Sequence, residues 1–340
     1  PKLYQQIKKI KIADPIEAKF REDILEGFEK TGIQLSADKQ ARLKAIFDEL
    51  AKIEQEYARN VRDNPEKLEF SPDELKGLPQ SYIDGLKKND KGNYLLGFEY
   101  PDYRPFMELA DNDEARKRYQ IAFTRRGGEK NLALLKQAMD LRYELAQLFG
   151  KSSYAEWVLQ SRMAKTPETV NKFLAEVHAT VAPLEKKEVQ TLREFKAQSL
   201  NIPVELASIE RWSEAYWSEK LRKAKYQVDQ EQLRQYFPTQ ASQDWLFAIS
   251  ENLYGIKFKP AKVEVWQDEV EYYDVTDAKT GQLLGGLYMD KFPRKGKYGH
   301  AAVWGVYGGS SLTGRKPISA LVTNFNRNGL NSDELETFVH

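Results

Sequence analysis

Three histidines, His178, His300 and His340, and no cysteine serve a chain of 340 residues. The lack of cysteine excludes disulfides, thiolate metal sites and cysteine nucleophiles together. A closed three-histidine metal site is not expected from so few donors. His340 has the most suggestive surroundings, the run Asp333-Glu334-Leu335-Glu336-Thr337-Phe338-Val339-His340. Asn331 is a candidate helix cap there, and Glu334 falls at the third helical position, where a capping-box acid sits. A metal-binding helix presents two histidines four apart on one face, with a glutamate after the first acting on metal-bound water. His340 matches the first of those places, and these residues hold no second. Taken alone, a histidine late in an amphipathic segment is usually a surface or packed residue.

The elements that must position this run read as helices followed by strands. Ser36 caps an expected long helix with Leu43, Ile46, Phe47, Leu50, Ile53, Tyr57 and Val61 on one stripe, ending before Pro65. Residues 64–105 carry five prolines and read as loop-rich, with a short helix after Ser71. Helices are expected over 112–124 and 130–149, the latter closed by Gly150 in the left-handed conformation. Thr166-Pro167-Glu168 opens another that runs to about Leu200. Helices around 204–225, 229–236 and 241–254 follow, and the tryptophans are expected in the core. From Ile256 the period becomes two. Strands are expected at 263–266, 270–275, 283–289, 300–306 and 318–325, with a hairpin turn at Asp277–Gly281. Helices segregated from a modest antiparallel sheet, then a helix over 331–340, define a mainly α, α+β class.

Composition narrows the partners. Lys+Arg number 52 against 51 Asp+Glu, a net charge of +1, so no basic field points to nucleic acid or an anionic membrane. No apolar run approaches the ~18–20 residues of a membrane-spanning helix. Gly285-Gly286 and Gly308-Gly309 lack the context of phosphate loops, and Ser310-Ser311 lacks a nucleophile elbow. The basic stretch Lys291–Lys297 is one short patch on a neutral chain.

The terminal run resembles the thimet oligopeptidase family of zinc metallopeptidases, whose Asp-Glu-aliphatic-x-Thr run leads into a His-Glu-Phe-Gly-His motif. Asp333, Glu334, Leu335, Thr337 and His340 occupy those places. Gly296-Lys297-Tyr298-Gly299-His300-Ala301-Ala302 and Ala320-Leu321-Val322-Thr323-Asn324-Phe325 are similar to the family's strands before the zinc helix. Arg162–Pro167, Leu141–Ala146 and Tyr216–Arg222 match further stretches, in family order. The Asn326–Asn331 link and the Val306–Gly314 loop depart from the pattern, which bears on the branch within the family.

The resemblance implies a zincin-like, multi-helix scaffold flanking a channel, with one catalytic zinc and short peptides as substrates. It makes His340 the first zinc ligand and places no catalytic residue within this chain. The chain is expected to be a piece of a longer peptidase, shortened at both ends and inactive alone. Residues 1–110 are read as one helical region. Residues 111–340 are read as a second, with the sheet at 256–325 and the start of the zinc helix at 331–340. Gly299, His300 and Ala301 are candidate peptide-lining residues, with a structural histidine as the plain alternative for His300. Ala320, Leu321 and Val322 are candidates on a strand whose free edge could pair with an extended peptide. Against that stands a purely interior placement of both final strands. A cytoplasmic location is expected, with mitochondria or another intracellular compartment as alternative. The rival functions are a non-catalytic helical interaction module and a dipeptidyl carboxypeptidase of the same family.

Overall fold

The computed structural model describes residues 2–227 and 230–340. Its elements begin with α1 (Lys2–Lys9), α2 (Pro15–Lys30), α3 (Ala37–Arg62) and the short strand β1 (Leu68–Phe70). Next come α4 (Gln80–Asp84), β2 (Lys87–Lys88), β3 (Tyr94–Leu96), α5 (Tyr100–Leu109) and α6 (Asp113–Thr124). Helices α7 (Gly128–Leu148), α8 (Tyr154–Leu159), α9 (Pro167–Leu200), α10 (Glu214–Tyr226), α11 (Gln230–Arg234) and α12 (Thr239–Tyr254) follow. The chain then forms β4 (Ile256–Pro260), β5 (Glu271–Asp277), β6 (Leu283–Asp290), β7 (Ala302–Tyr307), β8 (Ile318–Val322) and α13 (Ser332–Val339). This is a mainly α, α+β protein. No helix among the described residues is long and apolar enough to cross a membrane.

Two compact units share the chain discontinuously: Pro1–Asn64 with Arg126–Lys187, and Pro65–Arg125 with Glu188–His340. A boundary at 110/111 does not follow them. The reason is a single core in the second unit, in which Phe70, Leu75, Leu96, Phe106, Met107, Ala110, Ala115 and Tyr119 are packed together from both sides of that point. The expected helix over 229–236 is described only in part, as α11, because residue 229 lies outside the described residues.

In the first unit, α3 packs on α7 through Leu43, Ile46, Leu50, Ala138, Leu141 and Leu145, and Trp157 closes the cluster. Phe47 and Tyr57 belong to the sequence stripe but are each 40% exposed, so the buried face is narrower than the stripe. Polar links lie beside this apolar seam. Arg42 makes a two-pronged contact with Glu144 at 2.6 Å per prong, and Asn60 donates to Asn131 at 2.9 Å.

The second unit holds both sheets. Three short strands in the order β1-β3-β2 lie within the proline-bearing stretch read as loop. Sequence periodicity missed them because strands of two or three residues are too short to show alternation. The larger sheet has the order β4-β5-β6-β8-β7. It is mixed rather than antiparallel: β6 and β8 run parallel, Gly286 opposite Ile318 through Asp290 opposite Val322. β7 then returns antiparallel to β8 and forms one edge of the sheet, with β4 at the other. The expected strand at 263–266 is irregular backbone, and the first strand is β4 instead. The Asp277 turn is as expected, its carboxylate accepting from the amides of Lys279 and Thr280 at 3.0 and 2.7 Å. Trp157 and Trp217 are buried, whereas Trp245, Trp266 and Trp304 are each about half exposed, contrary to a wholly core placement.

Candidate functional site

Helix α13 has only eight residues, too few to be stable in water without help. Its help is local and tertiary. The Asn331 side chain accepts from the Glu334 amide at 2.8 Å, and Glu334 accepts from the Asn331 amide at 3.0 Å, completing the expected capping box. The other Glu334 oxygen accepts from the Asn326 amide at 3.0 Å. Arg234 donates to Glu334 and, at 2.8 Å, to the Gly329 carbonyl. Below, Phe338 packs on Phe325 with ring centroids 5.0 Å apart, in a cluster with Met289 and Leu330. The Glu334 bonds thus tie the helix start to α11 and to the link after β8, and Phe338 near its end packs it on the sheet.

An open cleft lies along this start. It is lined by Tyr100, Arg104 and Glu108 of α5, by Gly299, His300 and Ala301, by Asn324 and Asn326, and by Asn331, Glu334 and Thr337. The Tyr100 hydroxyl is 3.4 Å from His300 Nε2, and their rings meet edge-on at 5.0 Å. Asn324 donates to the Tyr298 and His300 carbonyls at 2.9 and 3.2 Å. Burial pushes the Glu108 carboxyl up to about 7, reinforced by the charges of Asp333 and Glu219 and opposed by Arg104 and Arg222.

Of the sequence candidates, Gly299, His300 and Ala301 come together on this cleft. Ala320, Leu321 and Val322 do not line it. They belong to β8, which pairs with β6 on one side and β7 on the other, so its main chain has no free edge to offer a peptide. The edge strand next to β8 is β7, whose Val303, Trp304, Val306 and Tyr307 are 65%, 53%, 51% and 45% exposed; β4 is the edge on the other side. Tyr100, Arg104, Glu108 and Asn324 were not singled out in the sequence. The signal available was the four-residue spacing of Arg104 and Glu108 behind Pro101, a helix-start proline within a stretch otherwise read as loop.

His340 is exposed at the end of α13, its amide bonded to the Glu336 carbonyl at 2.9 Å. Among the described residues no three His, Cys, Asp or Glu side chains are grouped to hold a metal ion. The donors present do not by themselves fit a zinc ion.

Residues 106–340 match the sequence model of Peptidase family M3. The chain is 32% identical over 346 residues to oligopeptidase A of Escherichia coli (strain K12), covering 94% of this chain and 50% of that protein. It is 30% identical over 334 residues to a thimet-like oligopeptidase of Dictyostelium discoideum, at 93% and 50% coverage. It is also 30% identical over 355 residues to saccharolysin of Saccharomyces cerevisiae, at 96% and 50%. The chain spans about half the length of these curated relatives.

Proposed function

Because this chain belongs to Peptidase family M3, we propose that it is part of a zinc-dependent metalloendopeptidase that cleaves short peptides, with His340 as one zinc ligand. The observation that supports this most is α13. A capped helix is held by Arg234 of α11 and packed toward the sheet by Phe338, and His340 follows it within the family match. The family is one of zinc metallopeptidases, and bound zinc supplies Lewis acidity and an activated water. This chain's own contribution is to the peptide. The exposed edge of β7 takes an extended backbone, which fixes register with little demand on side chains. Gly299, His300 and Ala301 line the cleft next to it, with Tyr100 beside His300. Among the described residues no further donors are grouped with His340, so no complete zinc site is assigned to these residues by themselves. The proposed location is intracellular.

The test is hydrolysis of an internally quenched short peptide by the intact protein, with and without chelator. Chelator-sensitive cleavage is expected. Absence of cleavage, or cleavage that chelator leaves untouched, refutes the reading. Zinc titration of the 340-residue chain is expected to show no tight one-to-one binding. Such binding would overturn the claim that His340 lacks its partners.

A further inference from the structure

We propose that Lys297, working with Asp290 and Asn324, is the positioning residue for the loop Tyr298–Ala302 that presents His300 to the cleft; its bearing on peptides rests on the function proposed above. The Lys297 side chain is 2% exposed, and its ammonium lies among four oxygens. These are Asp290 Oδ1 at 2.8 Å and the carbonyls of Asp290, Phe292 and Thr323 at 2.9, 2.7 and 2.6 Å. Asp290 is the last residue of β6, and Thr323 is the first after β8. One ammonium therefore satisfies carbonyls where two parallel strands stop and where the next loop begins. Buried carbonyls need such partners.

The Asp290 carboxylate is held in turn from three sides. Arg294 donates two bonds at 2.7 and 2.9 Å, and Trp266 donates one at 2.9 Å. Burial favours the neutral acid, but the bonds from Arg294, Lys297 and Trp266 hold its pKa below the ordinary carboxylate value. Beyond Lys297, Asn324 grips the loop again through the Tyr298 and His300 carbonyls.

A buried lysine could be no more than a core staple. What argues for positioning here is the loop itself. Tyr298 is 50% exposed, and His300 and Ala301 are exposed as well. Its ring contacts, Tyr298 with Trp304 and His300 with Tyr100, involve exposed residues of the loop, so the Lys297 cluster is the buried tie that fixes where the loop leaves the strand ends. A compact ammonium suits divergent carbonyls better than a planar guanidinium, which prefers a flat, two-pronged partner.

The experiment uses Lys297→Met in the 340-residue chain and in the intact protein. Amide exchange at 298–302 is expected to speed up on the order of tenfold or more, with β5 unchanged. In the intact protein, KM for a quenched short peptide is expected to rise on the order of tenfold, with kcat changing less and zinc content kept. Asn324→Ala breaks the outer grip without opening the buried cluster. It is expected to act in the same direction more weakly, and it carries the test if Lys297→Met does not fold. Unchanged exchange at 298–302 in the folded variants overturns the positioning role. Faster exchange with an unmoved KM also overturns it, leaving Lys297 a staple. Failure of the peptidase reading is seen separately, as absent chelator-sensitive activity in the unaltered intact protein.

Discussion

Replacing Glu108 with Gln tests the electrostatics of the cleft. In the fold its carboxyl rises from 4.5 to about 7, because burial removes water and Asp333 and Glu219 add negative charge. Between those two values the folded protein holds a proton that the unfolded chain has released. Stability is therefore fully present below about pH 4.5 and is lost as pH climbs through about 7. At about 1.4 kcal/mol per pH unit, the whole change amounts to about 3 kcal/mol. Glu108→Gln keeps the shape and removes the titration. The variant is expected to be more stable than the parent at pH 8, by up to that amount, and to lose this part of the decline between pH 5 and 8. Urea unfolding followed by tryptophan fluorescence suits the purpose, since Trp212, Trp217, Trp245, Trp266 and Trp304 all belong to the unit that holds Glu108. Parallel pH profiles for parent and variant refute the reasoning. So does a carboxyl carbon signal of Glu108 that titrates near its ordinary value.

Glu334→Ala strips the acceptor from the amides of Asn326 and Asn331 and from Arg234. Arg234 and Glu334 have side chains only 10% and 18% exposed, so the expected loss is about 3 kcal/mol, read as faster amide exchange throughout α13. A helix that exchanges as slowly as before sinks that estimate. Gly329 has φ +125°, and a Cβ there would stand 2.5 Å from the Arg234 carbonyl. Gly329→Ala is accordingly expected to cost about 2 kcal/mol or more in urea unfolding of the same unit. An unchanged midpoint contradicts the close approach. Leu330→Ala, at a side chain with no exposure, is expected to cost about 2–5 kcal/mol in the same assay.

What was legible in the sequence is what depends on neighbours within a turn. The Asn331–Glu334 box, the Asp277 turn, the Gly150 helix stop and the proline start of α9 are each set by bonds or dihedral preferences spanning three or four residues. The resemblance that named the family lay in such short runs as well, including the capped run before His340. The rest depended on which distant segments share a core. Residues 300–306 and 318–325 both read as strands, and nothing in either shows that β7 takes an edge while β8 lies parallel to β6. That choice moved the expected peptide-pairing edge from Ala320–Val322 to β7. Glu108 read as one more acid until α5 was set against Asp333 and Glu219, far along the chain. Lys297 likewise read as part of one short basic patch, and only the ends of β6 and β8 make it a buried clamp. Local hydrogen bonding is determined by the order of residues. Desolvation and strand pairing are decided by partners that only the tertiary structure brings within reach.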